Sequence, residues 1–177
     1  MTLSTAYEQI TGTEAKKGIP EYRTYYRKDL RDIPIDMQIK IVNAFEGLID
    51  YEVGLKEFEF DKNSSQKAME KLSDYVQGDS ILVTSVDVEN GDLIGTTILR
   101  AMVIGNVRVG VLGFVNITEA YRHKGYGTLL MGKVEKVAKS LKCQTLWLAV
   151  LGNNTPAVEF YQELGFTTTT LQMAKNI

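Results

Sequence analysis

Apolar residues along this chain recur at different periods, and the changes of period lay out its elements. Residues 1–20 are polar, end in Gly18-Ile19-Pro20 and read as a loosely held arm. Tyr22, Tyr25 and Tyr26 make 22–27 an aromatic first strand. Pro34 opens a helix in which Ile35, Ile39, Val42, Phe45 and Ile49 recur at helical spacing, up to about residue 51. A connector, 54–61, carries Phe58 and Phe60, and a shorter helix over 64–77 turns Ala68, Leu72, Tyr75 and Val76 inward before Gly78. From residue 80 the pattern is that of strands. Segments 81–88 and 93–104 flank Asn90-Gly91, the strongest short hairpin signal in the chain, and Gly105-Asn106 turns into 107–117. Helical spacing returns with Leu130, Val134, Val137, Ala138 and Leu141, separated by Lys133, Lys136 and Lys139. Another apolar strand covers 144–151, a helix begins near Thr155, and a Thr-rich strand closes the chain over 167–175. The predicted order is strand, two helices, three strands, helix, strand, helix, strand. That is a mixed α/β chain, and residues 1–177 read as one domain without internal repeat or linker.

Composition narrows the class. At 177 residues, 44% hydrophobic and 24% charged, the chain has the make-up of an ordinary soluble globular domain. No apolar run approaches the ~20 residues that span a bilayer, and the first residues lack a secretory signal, so a cytoplasmic protein with no membrane partner is expected. One His and one Cys exclude a His/Cys metal site; they flank the basic helix at opposite ends, roughly 20–30 Å apart, too far for a nucleophile pair. Cys143 reads as a small buried hydrophobe.

The net charge of −2 hides an asymmetry. Acidic residues outnumber basic ones two to one over 29–79, whereas over 100–142 only Glu119 and Glu135 face eight Lys and Arg. A basic half suits an anionic cofactor and an acidic half a cationic substrate. Nucleic acid is not expected, since that needs a broader basic surface interleaved with exposed aromatics.

The chemistry concentrates in Arg122-His123-Lys124-Gly125-Tyr126-Gly127, between the end of an apolar strand and the start of a helix. The first amides of a helix lack intrahelical partners and carry partial positive charge. Glycines let backbone approach a ligand closely, and Arg and Lys add full charges, so the stretch is a cradle for pyrophosphate. It is neither a P-loop nor the G-x-G-x-x-G dinucleotide fingerprint, because position 130 is Leu.

This Arg-x-x-Gly-x-Gly stretch resembles the acyl-CoA pyrophosphate loop of the GNAT superfamily of N-acyltransferases. A second stretch, Asn154-Thr155-Pro156-Ala157-Val158-Glu159-Phe160-Tyr161-Gln162-Glu163-Leu164-Gly165-Phe166, is similar to the family's later signature and follows at the family's spacing. Read physically, Thr155 can cap this helix, Pro156 suits its first position and Gly165 its stop, with Ala157, Phe160, Tyr161 and Leu164 on one face. The resemblance covers nearly all the chain after residue 20. It implies a mainly antiparallel sheet, splayed between its central strands and flanked by helices. The short tail after Phe166 departs from the two full closing strands of many members.

The resemblance also implies roles. Acetyl-CoA, as acyl donor, would lie where strands 107–117 and 144–151 part. Its pantetheine amides would meet Val115 and Ile117, and its pyrophosphate the amides of His123, Lys124, Gly125, Tyr126, Gly127 and Thr128. Arg122 and Lys124 would add charge, and Asn154 would reach it from the far side. Tyr161 matches the family's donor to the departing thiolate, and no metal is implied. For the base, 107–117 holds no carboxylate, and Glu119, just beyond it, is the nearest candidate. His123 is expected to serve through its backbone, and Trp147 to pack as core in a strand buried on both faces. The expected reaction is acyl transfer to a primary amine by direct attack in a ternary complex. A small cationic amine is preferred over a protein Lys or N-terminus, bound near Tyr51, Phe58 and Phe60. The alternative is a catalytically silent acyl-CoA-binding regulatory module. A homodimer is compatible with the short final strand, which leaves a sheet edge open.

Overall fold

The computed structural model describes residues 20–26, 33–55, 80–171 and 173. The expected helix over 64–77, with Phe58, Phe60 and nearly all of the arm, lies outside the described residues. Among the described residues, five strands form one sheet in the order β1-β2-β3-β4-β5. They are β1 (Glu21–Tyr26), β2 (Ser80–Val86), β3 (Leu93–Ile104), β4 (Val107–Ile117) and β5 (Thr145–Leu148). β1 to β4 pair antiparallel, and β5 lies parallel to β4. Helix α1 (Ile35–Leu55) covers one face; α2 (Tyr126–Ser140) and α3 (Thr155–Glu163) cover the other.

Two clusters hold these layers, one on each side of the sheet. Met37, Ile41 and Phe45 of α1 pack on Leu82, Val86, Leu93 and Ile98. Leu130, Met131, Val134, Val137 and Ala138 of α2 pack on Ile81, Val83, Leu99 and Leu112, with Phe160 and Leu164 of α3 beside them. Leu130 and Val134 have no exposed surface, so their burial supplies ~1.5–3 kcal/mol each of hydrophobic stabilisation.

The periodic reading of α1 holds at Val42, Phe45 and Ile49, which pack against the sheet, and fails at its first two positions. Ile35 and Ile39 are 76% and 56% exposed, while the inward stripe runs through Met37, Ile41 and Phe45. Two interleaved apolar stripes compete in this helix. The stripe buried most deeply is centred about a quarter turn from that expected, at ~100° per residue, and the two share Phe45. The helix also continues to Leu55, beyond the expected end near residue 51.

Three corrections concern the far edge of the sheet. Residues 167–171 form no strand. Gly165 ends α3 with φ +88°, and the threonines after it are exposed, with no alternating apolar face to bury against the sheet. Four threonines carry strand propensity without a packing partner, and packing decides. β5 spans four residues rather than eight and is the edge strand among the described residues. Trp147, expected in the core, is therefore 45% exposed. Leu146 and Leu148 point toward α2, whereas Trp147 points to the face where α1 packs chiefly on β3 and β4.

Candidate functional site

The site begins with a fault in β4. Thr96 pairs with Asn116 but Ile98 with Gly113, so Phe114 and Val115 both oppose Thr97. This is a β-bulge, with Phe114 at φ 52°, and such insertions bend a strand and re-aim it. The Phe114 ring meets Phe45 of α1 edge-on at 4.5 Å, which fixes the bulge against the helix. Pairing between β4 and β5 runs from Val109↔Thr145 to Leu112↔Leu148 and stops where the bulge begins. Beyond it, β4 continues to Ile117 alone on that side, and the two strands part.

The parted edge presents the backbone groups expected there. Thr118 N–H donates to Ile94 O at 2.9 Å, so the amide of residue 118 faces β3. Alternation along a strand then turns the groups of Val115 and Ile117 toward the gap. The Ile117 carbonyl is met from that side by Arg122 Nε at 2.9 Å. Arg122 thus ties the strand end to the loop after it.

That loop follows a single turn of 3-10 helix, Glu119–Tyr121. Tyr121 anchors it, donating to Asp87 Oδ2 at 3.0 Å in the β2–β3 hairpin and stacking edge-on with Tyr126 at 5.7 Å. Lys124 Nζ donates to Ala120 O at 2.8 Å and lies over the Tyr121 ring. His123 and Gly125 take positive φ, 58° and 81°, and this backbone path aims successive amides the same way. The first bond of α2 is Leu129 N–H to Gly125 O, so the amides of Tyr126, Gly127 and Thr128 precede the helical ladder. No carbonyl among the described residues accepts from His123, Lys124 or Gly125. The side chains of His123, Lys124 and Thr128 are exposed.

The two glycines serve different ends. Gly125 needs its left-handed backbone, and nothing lies within 4 Å of where a Cβ would project. Gly127 is a packing residue: a Cβ there would sit 3.1 Å from Phe160 Cζ and 3.8 Å from Ile117 Cγ1. The cradle, the end of β4 and α3 therefore meet at this point.

Helix α3 carries Tyr161 next to Phe160, the residue that packs on Gly127. Asn154 is its N-cap, accepting from Ala157 N–H at 3.4 Å, so Thr155 lies inside the helix and Pro156 is its second residue rather than its first. Asn154 Oδ1 also accepts from Tyr51 Oη at 3.3 Å, and Asn153 Nδ2 donates to Leu55 O. The side-chain oxygen of Asn154 is thus committed to the cap and to α1; its amide N–H groups remain for a ligand. Tyr161 packs against Phe160 and Phe166 at 5.3 and 5.7 Å. Burial, and then the negative charge of Glu52, push its phenol up to about 12. The hydroxyl keeps its proton at neutral pH and forms no hydrogen bond among the described residues.

Glu52 is the residue that the sequence reading passed over. It follows Ile41 and Phe45 by eleven and seven residues, so it lies in the middle of the inward stripe of α1. A carboxylate on an apolar stripe was the available signal. A stripe drawn a quarter turn away, in a helix ended near 51, concealed it. Glu119 sits exposed on the 3-10 turn, on the cradle side of the gap. Cys143 is half-buried, and burial, opposed by Arg108, pushes its thiol up, which disfavours a nucleophilic thiolate. No cluster of His, Cys, Asp and Glu among the described residues could hold a metal ion, and no described helix is long and apolar enough to cross a membrane.

Unpaired cradle amides, open space at Gly125 and a strand edge facing a gap suit a ligand with a pyrophosphate at one end and secondary amides along its length. Acetyl-CoA has both features. Several solved structures share the fold. A BH1408 protein of Bacillus halodurans, solved as a tetramutant, aligns with TM-score 0.73 at 16% identity over 88% of this chain and 99% of that one. An aminoglycoside acetyltransferase from an uncultured soil metagenomic sample gives 0.62 at 10% identity over 90% and 97%. The ribosomal-protein-alanine N-acetyltransferase of Brucella melitensis biovar Abortus 2308 gives 0.60 at 14% over 89% and 99%. No curated protein sequence matches this chain. The sequence model of the acetyltransferase (GNAT) family matches residues 51–166, well over half of the chain and inclusive of the cradle, the gap and Tyr161. The chain belongs to the acetyltransferase (GNAT) family, whose chemistry is acyl transfer.

Proposed function

We propose that this chain transfers an acetyl group from acetyl-CoA to a primary amine, with both bound at once in the gap between β4 and β5. The supporting observation is convergence. The cradle with its free amides, the strand end at Ile117 and α3 meet at Gly127, where Phe160 packs, and Tyr161 is the next residue of that helix. Bound acetyl-CoA would supply the acyl group as a thioester, whose transfer to nitrogen releases a thiolate that benefits from a proton. Amides from His123 to Thr128 would hold the pyrophosphate, with Arg122 and Lys124 adding charge and the N–H groups of Asn154 a further contact. Tyr161 Oη holds a proton across the physiological range and would donate it, or a hydrogen bond, to the departing sulfur.

The acceptor is proposed as a small cationic amine. Two structural neighbours are named for acceptors of different size, an aminoglycoside and a ribosomal-protein alanine, so likeness alone does not choose. The acidic end of α1 beside the opening favours a cation. Glu119 remains a candidate proton acceptor on the cradle side.

Acetyl-CoA should be turned over with members of a primary-amine panel, followed by thiol release. Tyr161→Phe should lower kcat by about 10²-fold, the lower end for removing a general acid, with the KM for acetyl-CoA little changed. Full kcat in that variant, or no turnover by the parent protein, would contradict the reading.

A further inference from the structure

We infer that Glu52 is the carboxylate that receives the acceptor's ammonium group, which makes the preferred acceptors amines presented as cations to the end of α1. The inference rests on the acyl-transfer reading above and adds the acceptor side of the same opening.

Three geometric facts carry it. Glu52 lies on the inward stripe of α1 with Ile41 and Phe45, and Phe45 marks the bulge where the strands begin to part. Seven residues further along, Glu52 is displaced ~10 Å down the helix axis from Phe45, past the apolar contact. The flanking residues fix where that end of the helix lies. Tyr51 bonds to Asn154 and Leu55 to Asn153, so Glu52 is held between two ties to the start of α3, the helix that carries Tyr161.

The charge balance is as informative. Glu52 is half-buried, and among the described residues no Lys or Arg pairs with it. A half-buried carboxylate gains from a cation brought within hydrogen-bond reach, and a ligand ammonium would supply one. The negative charge of Glu52 is felt, after burial, at the Tyr161 phenol. An ammonium held by Glu52 would approach from the α1 side, opposite the cradle that receives pyrophosphate.

The test compares the parent protein with Glu52→Gln, using acetyl-CoA and a panel of monoamines, diamines and short peptides with free N-termini. In Glu52→Gln the KM for the best acceptor should rise by about tenfold, the scale of one lost charge-assisted hydrogen bond. The KM for acetyl-CoA and the acetyl-CoA-induced rise in melting temperature should stay near the parent's. An acceptor KM within about twofold of the parent's would overturn the inference and leave acyl transfer standing. Acetyl-CoA binding with no acetylation of any amine by the parent would overturn the transfer reading and this inference with it. If Glu52→Gln does not fold, Glu52→Asp supplies the test: it keeps the charge but shortens the reach, and should raise the acceptor KM alone. An unchanged KM there would again overturn the inference.

Discussion

Tyr161 is a phenol wrapped in two aromatic rings with a carboxylate nearby, and its proton is correspondingly hard to remove. Its pKa rises from the ordinary 10.0 to about 12, first through burial and then through Glu52. The folded chain therefore holds this proton at pH values where the unfolded chain has lost it. The resulting stability is complete below about pH 10 and is lost as the pH climbs toward 12. Burial moves Tyr22 and Tyr25 in the same direction, so they add to the same loss. Denaturant unfolding of Tyr161→Phe should accordingly show a smaller fall in stability from pH 9 to pH 11.5 than the parent. Equal falls would contradict the buried, protonated phenol. The place of Tyr161 on α3 was legible from the sequence because the capping and stop residues around it mark that helix. Glu52 was obscured because α1 carries two apolar stripes, and periodicity alone does not say which one the sheet will bury.

Among elements, α3 depends on its start. Asn154 satisfies the amide of Ala157 and ties the helix to Tyr51 of α1, so it positions Tyr161 from seven residues away. Asn154→Ala should lower the unfolding free energy by about 1 kcal/mol, and Asn154→Ser, which keeps a capping oxygen, should recover most of it. Loss of stability in neither variant would contradict the cap. The sequence placed this helix correctly but set its cap one residue late, because both Asn and Thr are good capping residues. It also placed the glycine-containing loop between β4 and α2 and the two strands that part. The bulge at Phe114 left no sequence signal, since a non-glycine residue at positive φ is imposed by the packing of Phe45 and the register of β3. The closing strand failed for the opposite reason: its threonines favour extended backbone but offer nothing apolar to bury.

For the molecule as a whole, the described helices flank a sheet that runs from β1 to β5 and parts between β4 and β5 beyond Leu112. On the proposed reading both ligands would enter through that opening, the anionic one meeting the helix start and its basic loop and the cationic one the end of α1. A net charge of −2 is thus the sum of two opposed local fields rather than a weak uniform one. The central claim is that the cradle and the gap together bind acetyl-CoA. Thermal unfolding of the purified protein with and without acetyl-CoA tests this most directly, with desulfo-CoA and ADP as partial ligands. A ligand bound only by the folded state stabilises it by about 2.7 kcal/mol at a hundred times its Kd. Acetyl-CoA should raise the melting temperature dose-dependently, desulfo-CoA nearly as much, and ADP, which lacks the pantetheine arm, much less. No rise at millimolar acetyl-CoA would contradict the account, and an equal rise with ADP would confine binding to the cradle and remove the gap from it.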